Sequence, residues 1–488
     1  MKQTGAEVRL SAAGLERLPA CILRPGYDRV AQRPGIVHLG LGAFHRAHQA
    51  VYTDLALAAG DRDWAITGVS LRSAQVRDQL LPQDCLYTVT ESDAAGQTTR
   101  LVGALRAVLV APEDPQGVVS ALAGPDTQIV TITITEKGYW RAAGAGLALD
   151  FAAADIRGDL EPGAAPRTLY GFLAEGLERR RRAGLPGLTL LSCDNLADNG
   201  RQLHALLWQF LERRDPVLAR WFEAQCACPC SMVDRIVPAT TARDLTRLTD
   251  TLGQHDAAAV FTEPFHQWVI EDRFAGPRPR WEVGGAQWVS EVACYETAKL
   301  RMLNGAHSAL AYIGRFRGHE FVHQAIIDPP LRHLVERLMR IEAAASFRPA
   351  PGQSPDRYAD SLLRRFANPA RPHSLRQIAM DGSQKIPQRW LATLHSLAAA
   401  DIRCEALLTA LGAWIAYVRG DRFEVQDPMA AELAQLWRGT GQAGIAAALF
   451  GASGRFAAHW RAPPADLARL DETVARFLAG SRALPGEC

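Results

Sequence analysis

The chain has 488 residues, 48% hydrophobic and 22% charged, with a formal charge of +2. It is an ordinary globular composition in a chain too long for one hydrophobic core. The absence of any long single-sign tract argues against a nucleic-acid or membrane surface held by bulk electrostatics. No apolar run approaches the ~20 residues that span a bilayer. Glu7, Arg9, Glu16 and Arg17 interrupt the first 20 residues, where a secretory signal needs an apolar core. Nine cysteines fit reduced thiols better than a disulfide framework, so the expected compartment is the cytoplasm.

Ile36 to Leu39 reads as a short apolar strand that runs directly into Gly40-Leu41-Gly42-Ala43-Phe44-His45, with a helix-like stretch behind it to Asp54 and Leu57. Gly40 suits a tight turn, Gly42 lets the backbone approach a pyrophosphate, and the helix N-terminus offers N–H groups to that anion. The third position of the usual G-x-G-x-x-G is His45, so the pattern alone serves a dinucleotide loop or an ordinary strand-to-helix turn. His45 and His48 are three apart, but no Glu or third ligand stands near in the pattern of a hydrolytic zinc site. Further strand-like runs at Ala65 to Leu71, Gln128 to Thr135 and Leu188 to Ser192, with helical patterns between some of them, predict an α/β sheet.

After the second of these runs, Ser70, Leu71, Arg72 and Ser73 follow with no carboxylate until Asp78. NAD enzymes commonly place an acid there, whereas Arg72 suits a 2′-phosphate or a plain surface. Thr133-Ile134-Thr135-Glu136-Lys137-Gly138-Tyr139 leaves a strand end, where open α/β sheets bind ligands. Residues 141–166, rich in Ala, Gly and Pro, read as an excursion from the sheet. The run Arg179 to Arg182 reads as a solvated helix face rather than a phosphate patch. Leu191-Ser192-Cys193-Asp194-Asn195 is another strand end, with a helix cap by Asp194 or Asn195 as its plain reading. The alternating Cys226, Cys228 and Cys230 lack zinc-site spacing. In Met232-Val233-Asp234-Arg235, the neighbouring charges read as an internal Asp–Arg pair.

From about Tyr295 long helical periodicity takes over, as in Glu296 to Tyr312, Arg332 to Ala345 and Ile402 to Val418, with a loop marked by Pro349, Pro351, Gly352 and Pro355. The expected division is a Rossmann-type dinucleotide-binding domain over 1–290 and a mostly α-helical domain over 291–488. On an α-helix, at ~100° per residue, Lys299 and His307 fall within ~80° of each other and Asn304 lies one turn before His307. An amine, an amide and an imidazole on one face can hold an alcohol oxygen and take its proton while a hydride leaves the carbon. Lysine suits the base when burial or another cation depresses its pKa. The bland alternative is a half-buried helix with three unrelated polar residues. Gly305, costly in mid-helix, points to a close approach by a ligand or a second helix. Asp381 to Lys385 suits a plain turn.

The phrases GLGAFHRAHQAVYTD, TITEKGYW, LSCDNLADNG, MVDRIVPATT, EPFHQWVIEDRF, KLRMLNGAHSALAY and IAMDGSQKIPQR follow one another in this chain. In these, over about residues 24 to 450, it resembles the mannitol dehydrogenase family of long-chain polyol dehydrogenases. The resemblance implies a zinc-independent, NAD-linked oxidoreductase whose active site lies between a Rossmann-type and a helical domain. By motif it makes Lys299 the general acid/base, with Asn304 and Asn195 binding the reacting oxygen and His307 orienting a substrate hydroxyl. Asp234 and Lys385 match positions near the substrate, and Gly40, Gly42, Ala43 and Phe44 match the pyrophosphate loop, with Arg72, Thr135 and Glu136 expected along the cofactor. NAD is expected and NADP stays open through Arg72.

Two substrates then stand out, mannitol oxidised to fructose and fructuronate reduced to mannonate. A uronate needs a cation near its far end, which Lys137 and Arg301 offer. The phrase IAMDGSQKIPQR, with Asp427 to Met429 and with Gln377 where mannitol-type sequences can carry Arg, looks more like fructuronate reductases. His266 stands where fructuronate reductases tend to carry Arg, and the Gly68 to Gln75 segment looks closer to mannitol-type enzymes, which leaves a third polyol or keto-sugar acid open. The expected partner is a hexuronate or hexitol, with no nucleic acid and no membrane, in a monomer or small homo-oligomer. A sensor that binds a nucleotide without turnover is the alternative of another class, and it would have no need of Lys299, Asn304 and His307 in register.

Overall fold

The computed structural model describes residues 8–142, 146–370, 372–400, 402–480 and 484. It divides into two compact units, Met1–Val292 and Ala293–Cys488. The N-terminal unit is built on a five-stranded sheet. In chain order its strands are β1 (Ile36–Leu39), β2 (Ile66–Ser70), β3 (Tyr87–Asp93), β4 (Gly96–Val102), β5 (Leu105–Val110), β6 (Ile129–Ile132), β7 (Thr189–Ser192), β8 (Ser231–Asp234), β9 (Val260–Thr262), β10 (Gln267–Glu271) and β11 (Gln287–Val289). The main sheet has the order β5-β2-β1-β6-β7, with every neighbouring pair parallel.

Both faces of β1, β2, β6 and β7 are buried, which explains why these strands read as continuous apolar runs rather than alternating ones. Two three-stranded sheets, β11-β10-β8 and β4-β3-β9, complete the unit. Of the four strand-like runs read in the sequence, all are strands in the main sheet: Ile36–Leu39 as read, and the other three shortened by one to four residues. The β3–β4 hairpin, β5 and β8 to β11 were not among them. Arg100 and Glu91 break the apolar signal of the hairpin, and β9 and β11 are only three residues long. Within the expected excursion at 141–166 there is a short helix, Ala154–Leu160, while 143–145 fall outside the described residues.

The arginine run departs from expectation. It forms the last turn of helix Leu169–Arg182, where Arg181 and Arg182 pair with Glu178 and Arg179 meets Gln116 and Ser120. Arg180 is instead fully buried, donating to the carbonyls of Pro186 at 2.9 Å and Gly124 at 2.6 Å. Two carbonyls at the ends of neighbouring segments would otherwise be left dry.

The C-terminal unit is helical. Its centre is formed by Gly305–Arg317 and Glu405–Tyr417, which are buried nearly all round, as a helix apolar on every face must be. Helix Pro464–Leu478 lies so close to the second of them that a Cβ on Gly412 would stand 2.5 Å from Thr473 Cγ2. The fold class read from the sequence, a Rossmann-type α/β part and a helical part, is the one observed.

Replacing Arg180 by Ala is expected to cost about 2–4 kcal/mol, because it strands two buried carbonyls. Urea unfolding of the variant checks this, and a loss below about 0.5 kcal/mol, the scale of a surface substitution, would contradict it.

Candidate functional site

The order of the main sheet reverses at β1. The chain steps from β1 to β2 to β5 on one side and returns to β6 and β7 on the other, so a crevice opens beyond the carboxyl ends of β1 and β6. Gly40-Leu41-Gly42 leaves β1 there, and Thr133-Ile134-Thr135 leaves β6 beside it. Gly40 has φ +98°, and a Cβ on it would stand 2.1 Å from the Thr133 carbonyl oxygen. No other residue fits that turn. Gly42 opens the short helix Ala43–Ala47, yet the nearest chain atom to a Cβ there is 3.8 Å away. The chain's own packing does not demand glycine at 42.

Thr135 sits at φ +69°, strained for a threonine. Its support comes from β7, because Asp194 accepts the N–H groups of Ile134 at 3.1 Å and Thr135 at 2.8 Å and the hydroxyl of Tyr139 at 2.8 Å. Asp194 is therefore no helix cap; the residue at the head of helix Asn199–Arg214 is Asp198, with no side-chain cap bond. Burial pushes the Asp194 carboxyl upward while these three donors pull it back. Thr135, Glu136, Lys137 and Asn195 are exposed at this end of the sheet. Arg72 is exposed two residues beyond β2, and the nearest acid in sequence, Asp78, is paired with Arg77.

Beneath the glycine turn lies a histidine group. The helix expected to run through to Leu57 breaks at His48 and resumes as Gln49–Ala58. His45 stacks on His38 with ring centres 3.4 Å apart, and His48 stacks on Phe44 at 5.0 Å. His38 is fixed by Thr131 Oγ1 at 2.8 Å and Thr133 Oγ1 at 3.0 Å, and burial lowers its pKa to about 3. Burial, then the neighbouring His38, holds His45 well below its ordinary value too, so both imidazoles are neutral. Among the described residues no group of three His, Cys, Asp or Glu side chains is arranged to hold a metal ion.

Asp234 ends β8, buried and in register with Gln267 of β10. Arg235, its neighbour in the sequence, pairs with Glu91 and donates to the carbonyls of Glu263 and Ala47. His266 Nδ1 meets Tyr52 Oη at 2.8 Å, and burial brings its pKa down to about 4. It is not a standing cation.

In the C-terminal unit, Lys299 does not lie on a plain α-helix. Ala293–Ala298 passes into a π-helical turn, Lys299–Asn304, before α-geometry returns at Gly305–Arg317; the Gly305 amide reaches back five residues to the Leu300 carbonyl. On an α-helix five residues would separate Lys299 from Asn304 by about 140°, whereas i→i+5 bonding stacks 304 over 299. Asn304 and His307, three apart, then share a face of the α-helix. The three residues thus reach one side of the rod by a route different from uniform α-periodicity. Lys299 and Asn304 are half-buried and His307 is buried. His307 stands against Phe366 and His373; burial, His373, Arg365 and Arg389 keep it neutral, and its Nε2 has no protein partner. Gly305 faces the second helix that the sequence left open, with a Cβ there in ordinary contact with Trp390 at 3.6 Å.

Two other cations have internal duties. Arg301 donates to the Ser346 carbonyl at 2.6 Å and the Ser396 hydroxyl at 3.1 Å. Lys385 donates to the Met380 carbonyl at 2.6 Å, its pKa lowered by burial and by Arg389. Asp381 to Lys385 is more than a turn. Asp427 accepts the Ser383 amide and hydroxyl and the Met429 amide, which joins DGS to DPM. Sequence reasoning did not single out Asp194 as an organiser of the β6 loop or Arg389 beside Asn304, because both act through backbone groups.

A parallel sheet reversing at a glycine turn, followed by an all-helical unit, defines the Rossmann-type class of two-unit oxidoreductases. The description "Mannitol dehydrogenase Rossmann domain" matches residues 34–283 and "Mannitol dehydrogenase C-terminal domain" matches 291–457. The chain belongs to the mannitol dehydrogenase family, as its motifs suggested. It is 41% identical to D-mannonate oxidoreductase of Escherichia coli (strain K12) over 447 residues, 89% of this chain and 91% of that one. Among solved structures it resembles Pseudomonas fluorescens mannitol 2-dehydrogenase in ternary complex with NAD and D-mannitol, with TM-score 0.83, 33% identity and 97% and 98% of the two chains covered. It also resembles substrate-free D-sorbitol dehydrogenase, with TM-score 0.87, 34% identity and 95% and 96% covered.

His45 is neutral in the folded unit, while the unfolded chain takes up a proton near pH 6.5. Its folded pKa is depressed, so the resulting stability is present above pH 6.5 and lost as pH falls below it. His45→Phe is expected to lower the slope of unfolding free energy against pH, between pH 6 and 5, by about 1 kcal/mol per unit. Urea titrations across that range measure it, and an unchanged slope would show that the ring is not held neutral.

Proposed function

We propose that this chain is an NAD(H)-dependent oxidoreductase that interconverts a secondary alcohol and a ketone on a sugar acid or sugar alcohol, with fructuronate to mannonate first among them. The observation that carries this reading is the π turn that stacks Asn304 over Lys299 one helical turn before a neutral, buried His307. A binding module without turnover has no use for that register.

The glycine turn fits the cofactor on its own geometry. Gly40 is fixed by the Thr133 carbonyl, the space over Gly42 is left open by the chain, and Ala43 and Phe44 present first-turn amides to a pyrophosphate. Thr135 and Glu136, held out on the strained β6 loop, lie along the same crevice. When bound, the nicotinamide exchanges a hydride with the carbinol carbon of the substrate. The amine of Lys299 takes the hydroxyl proton in oxidation and returns it to the ketone oxygen in reduction. The amides of Asn304 and Asn195 donate to that oxygen and stabilise the alkoxide. A neutral His307 both donates to and accepts from a substrate hydroxyl, and Asp234 is assigned a further hydroxyl.

For the substrate's far end, the three cations singled out are not equivalent. Arg301 and Lys385 donate to backbone oxygens of their own unit, whereas Lys137 is exposed on the β6 loop. We assign a uronate carboxylate to Lys137. The similarity to a D-mannonate oxidoreductase supports the sugar acid; the similarity to enzymes named for mannitol and sorbitol supports the polyol alternative. On the cofactor, NADP is the second reading, supported by an exposed Arg72 with no acid among residues 70–73.

Purified protein with NADH is expected to turn over fructuronate far faster than fructose; equal rates, or fructose ahead, remove the uronate assignment, and NADPH in the same assay decides the cofactor. Lys299→Ala is expected to lower kcat by about 10²–10⁴-fold while cofactor affinity, read by fluorescence titration, stays near wild type. Wild-type turnover in that variant would end the mechanism.

A further inference from the structure

A π turn is a rare geometry that persists where its surroundings hold it, and the segment Lys299–Asn304 needs such a hold. At its C-terminal end, contacts that supply it come from another π turn, Pro387–Leu391. Arg389 Nη1 donates to the Asn304 carbonyl at 3.3 Å and to the Ser308 hydroxyl at 2.8 Å. The adjacent Trp390 Nε1 donates to the Gly305 carbonyl at 3.1 Å. Two consecutive side chains thus grip two consecutive carbonyls at the point where π geometry gives way to α.

We propose that Arg389 is a positioning residue for the reaction: it clamps the end of the Lys299–Asn304 turn and so sets the register of Lys299 against Asn304 and His307. This rests on the acid–base role given to Lys299 above. Arg389 spans the junction from the last π residue to the next α turn, and a relaxation to i→i+4 bonding would swing Lys299 by about 100° relative to Asn304. Its bonds are to a carbonyl and a hydroxyl rather than to a carboxylate. Burying a cation on such partners is costly, and burial draws its pKa down to about 10. A rigid fork that reaches two oxygens at once is what a lysine or an amide cannot reproduce.

The test compares Arg389→Gln and Arg389→Lys with the wild type, using whichever of fructuronate and fructose the wild type reduces. Arg389→Gln is expected to lose about 10²-fold in kcat, the scale of a ~1 Å misplacement, with cofactor affinity unchanged; Arg389→Lys keeps the charge and one bond and recovers part of the loss. Hydrogen exchange over residues 299–309 is expected to accelerate in Arg389→Gln while protection of Glu405–Tyr417 is kept. That readout needs no substrate, so it separates failure of the clamp from failure of the assigned chemistry. Wild-type kcat with unchanged exchange overturns the proposal, as does equal loss of protection across the whole unit. Should Arg389→Gln not fold, Arg389→Lys decides alone: wild-type kcat and exchange in it overturn the clamp, and selective loss at 299–309 supports it.

Discussion

The N-terminal unit turns on one contact, the backbone of Gly40 against the Thr133 carbonyl. A Cβ at Gly40 would stand 2.1 Å from that oxygen, so β1 and β6 can end side by side only because position 40 has none. From that approach follow the crevice at the reversal of strand order, the direction in which the chain enters helix Ala43–Ala47, and the open space above Gly42. The neighbouring strand end is held with equal firmness. Asp194 spends its carboxylate on the amides of Ile134 and Thr135 and on Tyr139, which keeps Thr135 in a conformation a threonine does not adopt unaided. The nucleotide end of the sheet is thus preorganised by short backbone contacts.

The C-terminal unit solves a spacing problem by other means. Lys299 and Asn304 are five residues apart, the wrong interval for one face of an α-helix and the right interval for a π turn. Uniform α-periodicity was read as one face for all three, yet it puts about 140° between Lys299 and Asn304. The wider turn joins all three, at the expense of a geometry that the neighbouring segment must hold. Gly305 marks the return to α-helix; Trp390 donates to its carbonyl, but a Cβ there would be in ordinary contact with that ring, so the expected close approach is not what requires the glycine.

What was legible in the sequence divides along the same physical line. The strands of the main sheet stood out because burial on both faces made Ile36–Leu39 and Ile129–Ile132 mostly apolar, with one buried polar residue in each. Gly40 stood out because a turn there needs a missing side chain, and the order of seven long phrases made the family plain. The π turn was invisible, since no residue type announces i→i+5 bonding. The pairing of Arg235 with Glu91 could not be read, because the two lie far apart in the sequence. Arg180 misled because three surface neighbours in the same run suggested a fourth.

Those arginines carry a more general consequence for reading charge as function. Arg46 reaches the Ala258 carbonyl, Arg180 those of Pro186 and Gly124, Arg235 those of Glu263 and Ala47, and Arg389 that of Asn304. A guanidinium has five donors, no acceptor and weak hydration, which suits it to collecting carbonyls where chain ends and helix breaks leave them unpaired. Such cations are unavailable to an anionic substrate however well their positions in sequence suit one. A sugar carboxylate must then be met by a cation whose own chain makes no demand on it. Arg301 and Lys385 fail that condition through Ser346 and Met380. Of the three cations weighed, Lys137 on the exposed β6 loop is the one to which the proposed uronate reading assigns the carboxylate.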